Sequence, residues 1–134
     1  MNKMILIIED NRLNYKLLAD FLTVHGYTTK NLHSGLNVVS CVHEWRPFLI
    51  LLDIQLPDIS GFDVMELLKQ DPFSATIPVI AVTACVHAEE QHLAKDKGFH
   101  GYMTKPVDMN AMLSIVNSFA DAGQDVSSHH GIKL

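Results

Sequence analysis

The chain predicts an α/β fold: a doubly wound parallel sheet of five strands with five helices on its two faces. Three observations predict it. Aliphatic runs recur at Met4-Ile8, Leu49-Leu52 and Ile77-Val82, without the alternation of a strand that has one face in water. Amphipathic stretches of helical period separate them. Each run then ends on a group with chemistry to offer: Glu9-Asp10, Asp53, Thr83, and Lys105 after a short run at Gly101-Met103. Strands that alternate with helices imply right-handed crossovers and a sheet covered on both faces.

The elements follow in order. After the first strand, Asp10 or Asn11 can cap a helix whose apolar positions Leu13, Leu17, Phe21 and Leu18, Leu22 recur at fourfold spacing, and His25-Gly26 stops it. Tyr27-Leu32 reads as a more polar strand at the sheet edge. Ser34-Gly35 opens a second helix through Val38, Val39 and Val42 to Trp45, and Pro47 ends it. The loop from Gln55 to Gly61 is rich in turn formers. Phe62 to Lys69 forms the third helix, which Asp71-Pro72 breaks. A polar helix is expected from His87 to Lys97. Tyr102 sits in the fifth strand, and Met109, Met112, Leu113, Val116 and Phe119 mark one face of the last helix.

Apolar residues make up 48% of the 134 residues, enough for a core without metal or disulfide staples. One domain is expected over residues 1–121, followed by a polar, flexible tail over 122–134. The net charge of -5 disfavours a grip on nucleic-acid phosphates, which needs clustered Lys and Arg. Cys41 and Cys85 have neither zinc nor redox spacing and read as buried free thiols. The Met4-Ile8 run is too short for a signal peptide or a membrane span, so no membrane insertion and a cytoplasmic protein are expected.

Parallel strands would gather the terminal groups at the carboxyl edge of the sheet, where open α/β sheets bind ligands. The set is three carboxylates, a hydroxyl and an ammonium. Carboxylates that converge repel one another, and a cation repays the cost. Magnesium suits such hard oxygen donors. Each residue also has a plainer reading. Glu9-Asp10 suits a helix N-terminus, Thr83 suits a strand, and Tyr102 suits ordinary packing. The common register of all four groups favours chemistry.

These residues resemble a response-regulator receiver domain from about Met4 to Phe119. The stretches Ile8-Glu-Asp-Asn-Arg-Leu-Asn14 and Leu51-Leu-Asp-Ile-Gln-Leu-Pro-Asp-Ile-Ser-Gly61 are most similar to single-domain cell-cycle regulators of the DivK type. The resemblance implies the flavodoxin-like strand order 2-1-3-4-5. It implies Asp53 as phosphoacceptor, and Mg2+ on Glu9, Asp10, Asp53 and the backbone carbonyl of Gln55. Thr83 and Lys105 would contact the phosphoryl group, Tyr102 would be the switch aromatic, and Pro106 would follow a cis peptide bond. The implied partners are a histidine kinase or phosphotransfer protein, with a phosphatase or downstream kinase, in cell-cycle or polarity signalling.

Two rivals share parts of this pattern. A phosphohydrolase of the haloacid dehalogenase type wants a second carboxylate two residues after its nucleophile, where this chain has Gln55. A flavodoxin-like module binding FMN wants a phosphate loop after the first strand, and Glu9-Asp10 would repel that phosphate.

Overall fold

Five parallel strands stand in the order β2-β1-β3-β4-β5 in a computed structural model that describes residues 2–84 and 87–124. The strands are β1 (Met4–Ile8), β2 (Thr28–Leu32), β3 (Leu49–Asp53), β4 (Val79–Thr83) and β5 (Gly101–Thr104). The helices are α1 (Arg12–Val24), α2 (Val38–Trp45), α3 (Gly61–Gln70), α4 (Ala88–Asp96) and α5 (Met109–Gln124), with a 3-10 turn at Ser74–Thr76. Every residue of β3 and β4 is buried, as the aliphatic runs require of central strands. The outer strands β2 and β5 hold no fully buried residue.

Alternate residues of each strand feed two separate cores. Leu6, Ile8, Ile50, Leu52, Val79 and Ala81 face α2, α3 and α4, where they meet Val42, Val64, Leu68 and Ala94. Ile5, Ile7, Leu49, Leu51, Ile80 and Val82 face the other way, onto Leu18 and Leu22 of α1 and Met112 and Val116 of α5. Burying a side chain of this size contributes about 1.5–3 kcal/mol. The doubly covered sheet is therefore the rigid part of the molecule, and its strand ends inherit that rigidity.

Asn11, one of the two residues expected to cap α1, does so, its side chain accepting from the Asn14 amide at 2.9 Å. Other boundaries differ from expectation for physical reasons. Helix α2 begins at Val38 and not at Ser34-Gly35. The Ser34 hydroxyl instead bonds Asp58 at 2.7 Å, and Gly35 packs where a Cβ would stand 2.1 Å from Val64 Cγ2. Strand β4 starts at Val79 because Ile77 closes a short 3-10 turn, its amide donating to the Ser74 carbonyl at 3.1 Å, and Pro78 has no amide to give. On α1 the apolar set divides: Leu18 and Leu22 are buried, whereas Leu13 and Leu17 are 65% and 53% exposed. Cys41 is a free thiol and only partly buried. Cys85 and residues 125–134 lie outside the described residues, and α5 itself continues past the expected boundary at 121.

Candidate functional site

Strand register explains why the acidic residues meet. Ile8 of β1 pairs with Leu52 of β3, so Glu9 and Asp53, each one residue further on, emerge side by side. Asp53 in turn pairs with Val82, and Thr83 with Thr104 of β5, which brings Lys105 to the same edge. One carboxylate oxygen from each of Glu9, Asp10 and Asp53 lies within 4.8 Å of the others. Glu9 and Asp53 are buried, at 2% and 5% exposure, while Asp10 faces solvent. The Lys105 ammonium reaches across the pocket to Glu9 Oε1 at 2.8 Å and Asp53 Oδ2 at 3.0 Å.

Backbone groups hold the two buried acids in place. The Asn11 amide donates to Glu9 Oε2 at 3.1 Å, and the Gln55 amide donates to Asp53 Oδ1 at 2.9 Å. The loop after Asp53 is pinned from below by Gly61, whose amide donates to the Ile54 carbonyl at 2.9 Å. A Cβ at Gly61 would lie 2.5 Å from Ile54 Cα, so a larger residue would push α3 off the loop that carries the acid. Ser60 completes the turn by accepting from the Phe62 amide at 3.1 Å.

The pocket holds three carboxylates against one ammonium. Burial pushes the Glu9 carboxyl above its ordinary value, Lys105 and the Asn11 amide pull it back, and Asp53 adds to the rise. For Lys105 burial acts downward, yet its bonds to Glu9 and Asp53 outweigh that and hold the ammonium above its usual range. Both shifts describe a site short of positive charge. A hard divalent cation bound by oxygen fits this donor set. Glu9, Asp10 and Asp53 are the residues that would hold it.

Thr83 is completely buried at the end of β4, and its carbonyl accepts from the Lys105 amide at 2.8 Å. The Lys105-Pro106 peptide is cis. Tyr102 is half-buried against the α2–α3–α4 core, and its hydroxyl donates to Glu90 Oε1 on α4 at 3.0 Å. The fold thus brings Glu9, Asp10, Asp53 and Lys105 into one cluster, while Tyr102 stands on the neighbouring flank. Sequence reasoning missed two supporting residues. Asn31 on β2 donates to the carbonyls of Ile7 and Glu9, at 2.9 and 3.2 Å, and so steadies the end of β1. An asparagine within a strand is the one sequence signal that points to it. The bond between Glu90 and Tyr102 has no sequence signal, since Glu90 is one of two adjacent glutamates on a polar helix.

A doubly wound sheet with an acid cluster and a lysine at its carboxyl edge is the architecture of a phosphoryl-accepting signalling domain. Residues 5–117 match the model of the response regulator receiver domain, and the chain belongs to that family. It is similar to the polar-differentiation response regulator DivK of Brucella ovis, with 39% identity over 119 residues that cover 89% of this chain and 97% of the relative. The receiver domain of a signal transduction histidine kinase from Syntrophus aciditrophicus superposes with a TM-score of 0.82 at 28% identity, covering 98% of both chains. Chemotaxis protein CheY4 of Vibrio cholerae, at 18% identity, shares the fold with a TM-score of 0.82 over 89% of this chain and 99% of its own. These findings make the chain a receiver of the two-component type, with single-domain DivK-type relatives. They do not favour the hydrolase or flavin-binding readings.

Proposed function

We propose that Asp53 accepts a phosphoryl group from a phosphohistidine on a partner kinase or phosphotransfer protein, with Mg2+ bound at Glu9, Asp10, Asp53 and the carbonyl of Gln55. The observation that carries this is the convergence of Glu9, Asp10 and Asp53 beneath one lysine. The bound ion would supply positive charge against the acids and the incoming phosphoryl oxygens. Asp53 needs no general base, because a carboxylate oxygen is already a nucleophile. It attacks phosphorus in line, the bond to the imidazole nitrogen breaks, and the electron pair leaves with the histidine. Lys105, now held between Glu9 and Asp53, turns to a phosphoryl oxygen, and the Thr83 hydroxyl meets another. The reaction is stoichiometric, so the domain acts as a switch rather than as an enzyme with turnover, and hydrolysis of the acyl phosphate resets it.

The partner docks where the pocket opens. Leu13 and Leu17 stand exposed on α1, and Leu17 lines a cavity of about 210 Å³ with Glu9, Lys105, Pro106, Val107 and Met109. An apolar rim around an acid pocket suits a helix that presents a phosphohistidine. After transfer, the phosphoryl group adds about −1.5 to −2 charge at Asp53. Thr83 then moves toward it, Tyr102 turns inward, and the α4–β5–α5 face changes its affinity for a partner kinase or phosphatase. The relatives' role in polar differentiation supports a place in polarity or cell-cycle control. No described helix is long and apolar enough to cross a membrane.

The test is incubation with acetyl phosphate, with and without Mg2+, followed by mass spectrometry. One acid- and base-labile phosphate on Asp53 that requires the metal is the expected result. Phosphate on any other residue, or none, overturns the assignment.

A further inference from the structure

We propose that Glu90 is a positioning residue that latches the switch aromatic Tyr102 and so restrains the domain before phosphorylation. The proposal rests on the receiver reading above. Its basis is the 3.0 Å bond from the Tyr102 hydroxyl to Glu90 Oε1, which ties β5 to the first turn of α4.

That turn is weakly held by everything else described around it. His87 caps α4 without a side-chain hydrogen bond, and Ala94 is the one buried residue of the helix. Leu93, which would anchor a better packed helix, is 41% exposed. A bond to an ionised acceptor is stronger than a neutral one, so a carboxylate here fastens a helix that packing leaves loose. The bond also fixes the direction of the tyrosine. To turn toward Thr83, the ring must leave Glu90 or pull the first turn of α4 with it. Either way the carboxylate opposes the inward move, and its loss favours the phosphorylated arrangement.

The full chain tests this with Glu90→Ala, Glu90→Gln, Tyr102→Phe and the double variant Glu90→Ala/Tyr102→Phe. Two readouts are followed: the rate of acetyl-phosphate labelling at Asp53, and amide exchange in the first turn of α4. Glu90→Ala and Tyr102→Phe should each speed labelling and exchange about three- to tenfold, the range expected for the net loss of one hydrogen bond at a partly exposed site. The double variant should go no further than either single one. Glu90→Gln keeps an acceptor oxygen but loses the charge, and should fall between the parent and Glu90→Ala.

Three results overturn the latch. Glu90→Ala leaves both rates unchanged, the two single effects multiply in the double variant, or Glu90→Gln matches Glu90→Ala. The last would make the effect one of charge and not of a hydrogen bond. If no protein, the parent included, takes phosphate at Asp53, the receiver assignment of that residue fails. Amide exchange alone then decides the latch: equal single and double effects support it, and multiplied effects reject it.

Discussion

The two sides of the sheet's carboxyl edge are built to different standards. On one side β1 and β3 end in buried acids, each held by a backbone amide and by the Lys105 ammonium. On the other side β5 has no fully buried residue and α4 buries only Ala94. Regions with few buried apolar contacts open at lower free energy than the core. Chemistry that needs fixed distances therefore sits on the rigid side. A response that needs movement sits on the loose one, and the Tyr102 to Glu90 bond joins β5 to α4 within it.

The sharpest way to break this contrast is Asp53→Asn. Labelling by acetyl phosphate and Mg2+ should vanish altogether, as read by mass spectrometry, because the amide is a far poorer nucleophile than the carboxylate. The fold should not suffer. Removing one charge from a pocket with excess acid should leave the urea midpoint equal or higher. A variant that is still phosphorylated, or that unfolds more easily, would contradict the division of labour just described.

Lys105→Ala comes next. It leaves Glu9 and Asp53 buried without their ammonium, and the pair is only partly shielded by water since the lysine side chain is 21% exposed. The cost in the presence of a chelator should be about 1–3 kcal/mol, below the full range for a buried pair because of that exposure. Added Mg2+ should raise the urea midpoint of this variant more than that of the parent, since the ion takes the place of the lost cation. Equal stabilisation of both proteins would mean that the acids do not share one site.

Much of this arrangement was legible in the sequence, and the reason is physical. Strands buried on both faces must be aliphatic throughout, so β3 and β4 show as unbroken runs, and the first polar residue after each marks the strand end. That is how Asp53 and Thr83 could be placed before any coordinates. Their meeting with Glu9 and Lys105 then follows from parallel register. What stayed hidden depends on tertiary contact. Fourfold spacing put Leu13 and Leu17 in the same class as Leu18 and Leu22, although only the latter two face the core. Gly35 read as a helix start, yet it is there because Val64 occupies the space of a side chain. The partner of Tyr102 lies twelve residues away on a helix whose charges give no hint of direction.

Leu13 and Leu17 sharpen the comparison from outside the core. Replacing either with Ala should change stability by no more than about 0.5 kcal/mol, since the side chains are mostly in water already. Labelling by acetyl phosphate should also hold steady, because a small donor needs no docking surface. Transfer from a phosphorylated partner protein should fall several-fold. Rapid-quench kinetics with the two donors separate these outcomes, and an equal loss with both would show that the leucines support the pocket rather than the partner.

The smallest effect should come from a part of the fold remote from both sides. Asp71, after α3, accepts from the Ser74 amide at 2.8 Å and lies 2.8 Å from His43 Nε2 on α2. The Ser74 amide above all, with His43 behind it, holds the Asp71 carboxyl below its ordinary value of 3.8. The folded protein thus keeps this carboxylate ionised to lower pH than the unfolded chain does. Its contribution is complete above 3.8 and drains away as pH falls through the depressed folded value. Asp71→Ala should therefore lower the urea midpoint slightly at neutral pH, and the gap to the parent should narrow as the pH falls below 3.8. Phosphorylation at Asp53 should not change. A gap that persists undiminished in acid would assign the role of Asp71 to packing, and a change in labelling would show that this connector communicates with the acid pocket.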